Sequence, residues 1–186
     1  MTLYPSTFSA MRNIIITCIT LIILSAATSK AQEGTPFITH FEEVKELETQ
    51  NWSITQSNEN MMLFANRRGI LTFDGQSWNQ LKLPYIPLVV RKNPYNQKIY
   101  IGANNNYGFL ERNNKGLYKY HSLVADSVDI GLITKIKFTD STIFFYGEQT
   151  ITRHSLTNQD KYKRWNAGNK SFTGIVLTAK NTFFNV

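Results

Sequence analysis

The sequence has 186 residues, a formal net charge of +7 and 13% aromatic residues. An aromatic content this high is unlike that of a disordered chain, so part of the chain must bury a core. The basic residues are scattered and form no stripe or patch, which excludes nucleic acid as a partner of this segment. We interpret the positive charge as a solvated surface that favours anionic ligands.

The N-terminal segment, residues 1–31, is predicted to be a signal peptide rather than part of the fold. Met11 and Arg12 form a short, positively charged n-region, and an apolar run follows at residues 14–24. A membrane anchor is the alternative, but the run is shorter than the about 20 residues that span a bilayer. Translation could begin at Met1 or at Met11.

Cleavage is predicted between Ala31 and Gln32, because Ser29 and Ala31 are small residues separated by one position. Export would place the mature chain in the periplasm, and only the signal peptide would contact the membrane. The single cysteine, Cys18, lies in the segment that is removed. The mature chain therefore has no disulfide, thiol nucleophile or cysteine-ligated metal.

Residues 32–50 are predicted to be a linker that leads into the first repeat. This segment carries a cluster of glutamates: Glu42, Glu43, Glu46 and Glu48. Paired carboxylates can act as acid and base in glycoside hydrolysis. The cluster lies outside the predicted strands, so we interpret it as a solvated turn.

From residue 51 onward the chain consists of short β-type runs separated by Asn, Gly, Asp and Lys. One element recurs, an aromatic run ending at a small residue or Asn, around Phe64, Tyr100, Phe145 and Phe184. The successive intervals are 36, 45 and 39 residues. Intervals of this size are typical of a four-stranded propeller blade.

Each repeat divides into four predicted strands. They lie at residues 52–56, 61–66, 70–74 and 78–82, then 88–92, 98–103, 107–112 and 117–123, then 133–138, 143–147, 151–155 and 162–165, with 172–178 and 182–186 beginning a fourth repeat. The second strands are continuously apolar, as strands covered on both faces are. The expected fold is all-β, an incomplete β-propeller (residues 51–186) of about three and a half four-stranded blades at about 51–83, 87–124, 131–166 and 171–186. A β-sandwich is the alternative, which strand spacing alone would allow.

Residues suited to catalysis or metal binding are few and dispersed. His40, His121 and His154 lack metal-ligand spacing, so we expect isolated surface or half-buried histidines. Asp126 and Asp129 flank one loop but offer too few oxygen ligands for a cation site. We therefore expect no cofactor, no metal and no enzymatic activity.

The turns that follow the second strands hold the candidates for ligand recognition. Such loops can cluster at one end of a propeller, where ligands often bind. Turn formation is the alternative role for each residue. The candidates are Asn66, Arg67, Arg68, Asn104, Asn105, Asn106 and Glu148.

Several motifs, taken in order, resemble one protein family. They are Gly34-Thr35-Pro36-Phe37-Ile38, Asn51-Trp52-Ser53-Ile54, Phe64-Ala65-Asn66 with Gly69-Ile70-Leu71, Phe73-Asp74-Gly75 with Trp78, Leu83-Pro84, and Ile99-Tyr100-Ile101-Gly102 with Tyr107-Gly108. Their order resembles the periplasmic sensor region of Bacteroidetes regulators, which combine two-component-regulator propeller repeats with a triple-tyrosine domain. The resemblance implies a longer, membrane-spanning protein with further blades, the triple-tyrosine domain and a LuxR-type or hybrid histidine kinase output.

The resemblance also implies a binding module for signal transduction and transcriptional regulation, with a glycan or another small extracellular ligand as partner. A secreted, propeller-type glycan-active enzyme is the first alternative. A truncated chain that does not function alone is the second, because an open arc of blades leaves strand edges unpaired. The residues identify neither the ligand nor the output domain.

Overall fold

A computed structural model describes residues 7–27, 48–125, 128–158, 160–177 and 182–185. The chain forms two compact units, Met1–Glu42 and Glu43–Val186. The first contains helix α1 (Thr7–Ala27), which includes the predicted apolar run. No helix in the described parts is long and apolar enough to cross a membrane. The cleavage site between Ala31 and Gln32 lies outside the described residues, and the signal peptide stays a prediction.

The second unit consists of antiparallel sheets whose strands are adjacent in sequence order. The first sheet contains β1 (Asn51–Gln56), β2 (Met62–Asn66), β3 (Gly69–Phe73) and β4 (Trp78–Leu81), and the second contains β5 (Pro87–Lys92), β6 (Ile99–Ala103), β7 (Asn106–Arg112) and β8 (Tyr118–Ser122). The third contains β9 (Ile133–Phe138), β10 (Thr142–Gly147), β11 (Thr150–Ser155) and β12 (Tyr162–Asn166), and β13 (Gly174–Leu177) pairs with β14 (Thr182–Asn185). Three four-stranded sheets followed by a two-stranded one confirm the predicted all-β class and blade count.

The hairpin registers shift the repeat by one residue relative to the sequence prediction. The β2–β3 and β6–β7 hairpins close on the pairs Asn66–Gly69 and Ala103–Asn106. Counting back from these pairs makes Phe64 equivalent to Ile101, whereas Tyr100 is equivalent to the buried Leu63. The sequence prediction aligned Phe64 with Tyr100 because both are aromatic. A shift of one residue places a side chain on the opposite face of the strand, so the hairpin register sets the true equivalence.

The hydrophobic core lies between successive sheets in three clusters. The first two sheets enclose an aliphatic cluster of Leu63, Ala65, Ile70, Val90, Ile99, Ile101 and Leu110. The second and third enclose Val89, Tyr100, Tyr107, Phe109, Val124, Ile130, Ile133, Ile136, Ile143 and Phe145. The third sheet and the β13–β14 hairpin enclose Phe144, Tyr146, Ile151, Phe172 and Ile175. Because each sheet is covered on its inner strands, the second strands are buried along most of their length, as predicted.

Polar side chains on the first strand of each sheet connect it to the next sheet. The Ser53 hydroxyl donates to the Val90 carbonyl and accepts from the Val90 amide, both at 3.1 Å. Arg91 Nη1 donates to the Ile136 carbonyl at 3.1 Å, and Lys137 Nζ donates to the Ile175 carbonyl at 2.8 Å. These two cations therefore hold sheets together, whereas the sequence interpretation assigned the basic residues to a solvated surface.

Candidate functional site

The turns that hold the predicted ligand-binding residues lie beside the links between sheets. The Asn104 amide donates to the Ile86 carbonyl at 2.9 Å, and the Asn105 amide donates to the Gly131 carbonyl at 2.9 Å. One blade later, the Phe172 amide donates to the Glu148 carbonyl at 2.7 Å. The β6–β7 and β10–β11 turns are therefore fixed in place by the backbone of adjacent links, and the seven candidates are divided among these two turns and the β2–β3 turn.

Asn66 is a structural residue rather than an exposed recognition group. Its side chain is fully buried, and its Nδ2 donates to the carbonyls of Glu48 and Gln50 at 2.6 and 3.1 Å. Its Oδ1 accepts the Arg68 amide at 3.0 Å. The amide thus joins the β2–β3 turn to the segment that precedes β1, and a ligand could reach it only by breaking these bonds.

Asn105 holds its turn to the link that leads to the third sheet, and Asn106 makes its side-chain contacts within the second sheet. Asn105 adopts a left-handed backbone conformation with φ of 54°, and its Oδ1 accepts the Ile130 amide at 2.7 Å. Asn106 is buried, and its Oδ1 accepts the Tyr120 hydroxyl at 2.6 Å. Asn104 is exposed and pairs through its backbone with Leu132. For Asn105 and Asn106 the alternative role of turn formation therefore describes the structure better than ligand recognition.

Glu148 is exposed at the β10–β11 turn and lies near a buried phenol. Burial, together with the negative charge of Glu148, raises the pKa of the Tyr146 hydroxyl. That hydroxyl donates to the Phe172 carbonyl at 2.7 Å. The Tyr146 hydroxyl is therefore a hydrogen-bond donor that joins the third sheet to the segment before β13, and the Glu148 side chain is exposed.

Arg67 and Arg68 differ from the buried residues Asn66 and Asn106, because both arginines are exposed and line a cleft of about 710 Å³ beside the first sheet. The turn forms one wall, β4 forms another and the link to β5 forms the third. The remaining lining residues are Trp78, Asn79, Gln80, Lys82, Leu83, Pro84, Tyr85 and Ile86. This space, called the cationic cleft below, unites two predicted residues with others that the sequence prediction missed.

Several contacts fix the walls of the cationic cleft. Gln80 Nε2 donates to the Arg68 carbonyl at 2.8 Å, which joins β4 to the turn. Arg68 Nε lies 3.8 Å from a carboxylate oxygen of Glu48. The Trp78 ring stacks on Phe73 with centroids 4.6 Å apart, so its position is set by the sheet beneath it. The cleft is thus preorganised by hydrogen bonds and ring packing that do not involve Arg67.

A smaller cleft of about 280 Å³ shares Tyr85 with the cationic cleft. Its other lining residues are Asn105, Asn106, Val124, Ala125, Val128 and Asp129. Beneath it, burial and the neighbouring phenols Tyr85 and Tyr107 raise the pKa of Tyr120 above its ordinary value. Tyr120 therefore acts as a hydrogen-bond donor to Asn106 and not as an acid or base near neutral pH.

The structure corrects the prediction for His154 and places the other histidines. His154 is 1% exposed, and its Nε2 lies 3.1 Å from the Tyr107 hydroxyl, so it is not a surface or half-buried residue. His121 lies at the surface, 3.5 Å from a Glu111 carboxylate oxygen. His40 lies outside the described residues. In the described parts of the chain, no three His, Cys, Asp or Glu side chains group in a way that could hold a metal ion.

Three of the four glutamates in the predicted acidic cluster, Glu42, Glu43 and Glu46, lie outside the described residues, as does Asp126. Glu48 is described and pairs with Arg68. Asp129 is exposed, and its carboxylate accepts the Gly131 amide at 3.1 Å. The described carboxylates therefore take part in turns and surface ion pairs.

No family model matches the chain, and no curated protein matches it. Among solved structures, virginiamycin B lyase from Staphylococcus aureus is similar, with 17% identity and a TM-score of 0.52 over 74% of this chain. A catalytically inactive variant of that lyase with quinupristin has 17% identity and a TM-score of 0.55 over 76% of this chain. The chain spans about half the length of these proteins, 50% in both comparisons.

At this level of identity the similarity shows a propeller-like fold and nothing finer. It supports the predicted propeller and does not extend to the regulator family or its triple-tyrosine domain. Both similar structures are of an enzyme, so they do not support the prediction that this chain lacks catalytic activity.

Proposed function

We propose that this chain is the extracytoplasmic ligand-sensing propeller portion of a membrane-spanning transcriptional regulator or sensor kinase. The observation that carries the proposal is the cationic cleft, whose walls consist of cations, amides and aromatic rings. Such groups recognise ligands by charge, hydrogen bonds and stacking. The motif order that resembles periplasmic sensor regions supports the same function, and it implies a glycan or another small extracellular ligand.

Rigid support of the cleft fits a sensing role. The β2–β3 turn is held by buried Asn66, and the link beside it is held by the bond between the Asn104 amide and the Ile86 carbonyl. A ligand that bridges the turn and the link would change how the first two sheets pack. Binding shifts a packing equilibrium only when the ligand has a higher affinity for one arrangement than for the other, and such a bridge supplies that difference in affinity.

The test is a titration of the full chain with glycan fragments, in which binding heat and product release are both recorded. Saturable heat without product formation is the expected result. Release of a shortened or unsaturated fragment would contradict the sensor proposal, because a sensor leaves its ligand unchanged.

An enzyme is the second candidate, and the observation in its favour is the fold shared with virginiamycin B lyase. The same chain can be incubated with quinupristin, the compound present in one of the similar structures. An unchanged compound after prolonged incubation is expected if the chain is a binding module. A modified product would favour the enzyme instead.

A further inference from the structure

The cationic cleft has an unbalanced charge. Arg67, Arg68 and Lys82 line it, all three are exposed, and no carboxylate is among its lining residues. Arg68 is paired with Glu48, whose carboxylate oxygen lies 3.8 Å from Arg68 Nε. Arg67 and Lys82 form no ion pair with another described residue, so their two charges give the cleft a local surplus of positive charge that attracts anions.

Another cleft of the same unit shows that this surplus is not a general property of the surface. That cleft, of about 190 Å³, contains Glu59 and Glu111 together with Lys98 and Arg112. Arg112 pairs with Glu59 at 3.2 Å, and Lys98 pairs with Glu111 at 3.5 Å. Its charges are matched within the protein, whereas Arg67 and Lys82 of the cationic cleft have no ion-pair partner among the described residues.

The cationic cleft also offers flat and amide surfaces. Trp78 and Tyr85 are half-buried, and the Trp78 ring is backed by Phe73. Asn79, on the same strand, adds an exposed amide beside the rings. A ligand suited to these walls has an apolar ring face for stacking, hydroxyls for the amide and negative charges for the cations.

We propose that the cationic cleft binds an acidic saccharide that carries sulfate or carboxylate groups. This inference rests on the proposed sensing function and specifies the charge of its ligand and the place where it binds. The acidic groups contact Arg67, Arg68 and Lys82, and a sugar ring packs against Trp78. The volume of about 710 Å³ lies in the range of small-molecule sites and accommodates a disaccharide.

The test measures binding of three disaccharides to the full chain by calorimetry: one sulfated, one with a single uronate, and one neutral. Both acidic disaccharides should bind at least about tenfold more tightly than the neutral one, and added salt should weaken their binding. The stronger of the two acidic ligands identifies which anionic group the cleft prefers.

The matched variants are Arg67→Gln with Lys82→Gln, and Lys115→Gln with Lys119→Gln as a control. Both pairs remove two exposed positive charges, but the control pair is not among the residues that line the cationic cleft. The cleft variant should bind the acidic disaccharide about tenfold more weakly, and the control should bind it nearly as the parent does. The melting temperature without ligand shows that both variants fold.

The outcomes separate this inference from the proposed function. Equal binding of neutral and acidic disaccharides, or unchanged binding by the cleft variant, would overturn the inference while the sensing function stands. Binding of inorganic sulfate without any disaccharide would overturn the saccharide as ligand. If no glycan of any charge binds, the proposed function fails as well.

Discussion

The two interfaces between complete sheets are built from different chemistry. The interface between the first and second sheets is aliphatic, with Leu63 and Ile101 fully buried at its centre. The interface between the second and third sheets is aromatic and polar. There Tyr107 stacks on Phe145 with centroids 4.1 Å apart, and its hydroxyl meets buried His154.

This difference shows that the same four-stranded arrangement accommodates two kinds of packing, because equivalent positions of the two sheets carry side chains of different size. Ala65 in the first sheet is equivalent to Gly102 in the second, where a side chain would collide with the third sheet. The missing methyl group at Gly102 lets Ile133 approach closely. The aromatic interface thus combines this close approach at Gly102 with several ring contacts.

The largest expected effect is that of Phe145→Ala, which removes a fully buried ring that contacts Tyr100, Tyr107 and His154. Loss of a buried Phe lowers the free energy of unfolding by about 4 kcal/mol. Ile101→Ala at the equivalent position of the aliphatic interface should lower it by about 3 kcal/mol. Denaturant unfolding measures both, and a larger loss for Ile101→Ala would reverse the ranking of the two interfaces.

The next effect is that of Gly102→Ala. The added Cβ would lie 2.6 Å from Ile133 Cγ2 and 2.9 Å from the Ile133 carbonyl oxygen on the third sheet, and 2.7 Å from Val89 Cγ1 on its own sheet, so the neighbouring strand and side chains must shift. Overpacking of this kind lowers stability by about 2 kcal/mol. The matched change Ala65→Gly should lower it by only about 1 kcal/mol through backbone entropy. Equal melting temperatures for the two variants would show that the close approach at Gly102 is not needed.

Tyr107→Phe isolates the polar part of the aromatic interface. The variant keeps the ring on Phe145 but removes the hydroxyl that lies 3.1 Å from His154 Nε2 and 3.4 Å from Arg164 Nη2. We expect a loss of about 1 kcal/mol in the free energy of unfolding. Tyr146→Phe, which removes the bond to the Phe172 carbonyl, serves as the comparison at the next interface. A variant as stable as the parent would mean that ring stacking alone supports this interface.

The smallest expected effect is a pH dependence of stability that is confined to the β3–β4 hairpin of the first sheet. Asp74 accepts the Ser77 and Gln76 amides at 2.7 and 2.9 Å, and these bonds hold its pKa below the ordinary value of 3.8. Because the folded pKa is lowered, the stabilisation is present above the unfolded pKa and is lost as the pH falls through the folded pKa.

In the second sheet, Asn113 accepts the Lys115 and Leu117 amides at 2.9 and 3.0 Å and does not titrate. Amide hydrogen exchange of the β3–β4 hairpin should therefore rise at acidic pH more than that of the β7–β8 hairpin. In Asp74→Asn the difference should shrink, and its persistence would assign the acid sensitivity to another group.

The candidate site was only partly predictable. Arg67 and Arg68 followed from their place after a buried strand, and they do line the cationic cleft. Trp78, Lys82 and Tyr85 were missed because they lie on another strand and on a link, which meet the turn only after folding. In the sequence, the available signal was a tryptophan 10 positions and a lysine 14 positions after Arg68.

The structural contacts that the sequence did not predict share one physical cause. Asn66, Asn105 and Asn106 have the residue type expected of a recognition loop, but their amides satisfy backbone groups of adjacent links and side chains of the same sheet. His154 looked isolated because its partner Tyr107 lies 47 positions earlier in the chain. A hydrogen bond between distant segments leaves no local pattern that a single sequence could reveal.

The sequence by itself determined the strands and their hairpins, because alternation, turn residues and aromatic runs act over a few neighbouring positions. Asp74 and Gly75 illustrate this, since they lie in the turn that joins the predicted strands 70–74 and 78–82, and Gly75 has a φ of 101°. Only the tertiary structure decided which polar side chains join sheets and which stay open to a ligand. That choice depends on the sheet packed alongside, and buried amides must find partners wherever the adjacent backbone offers them.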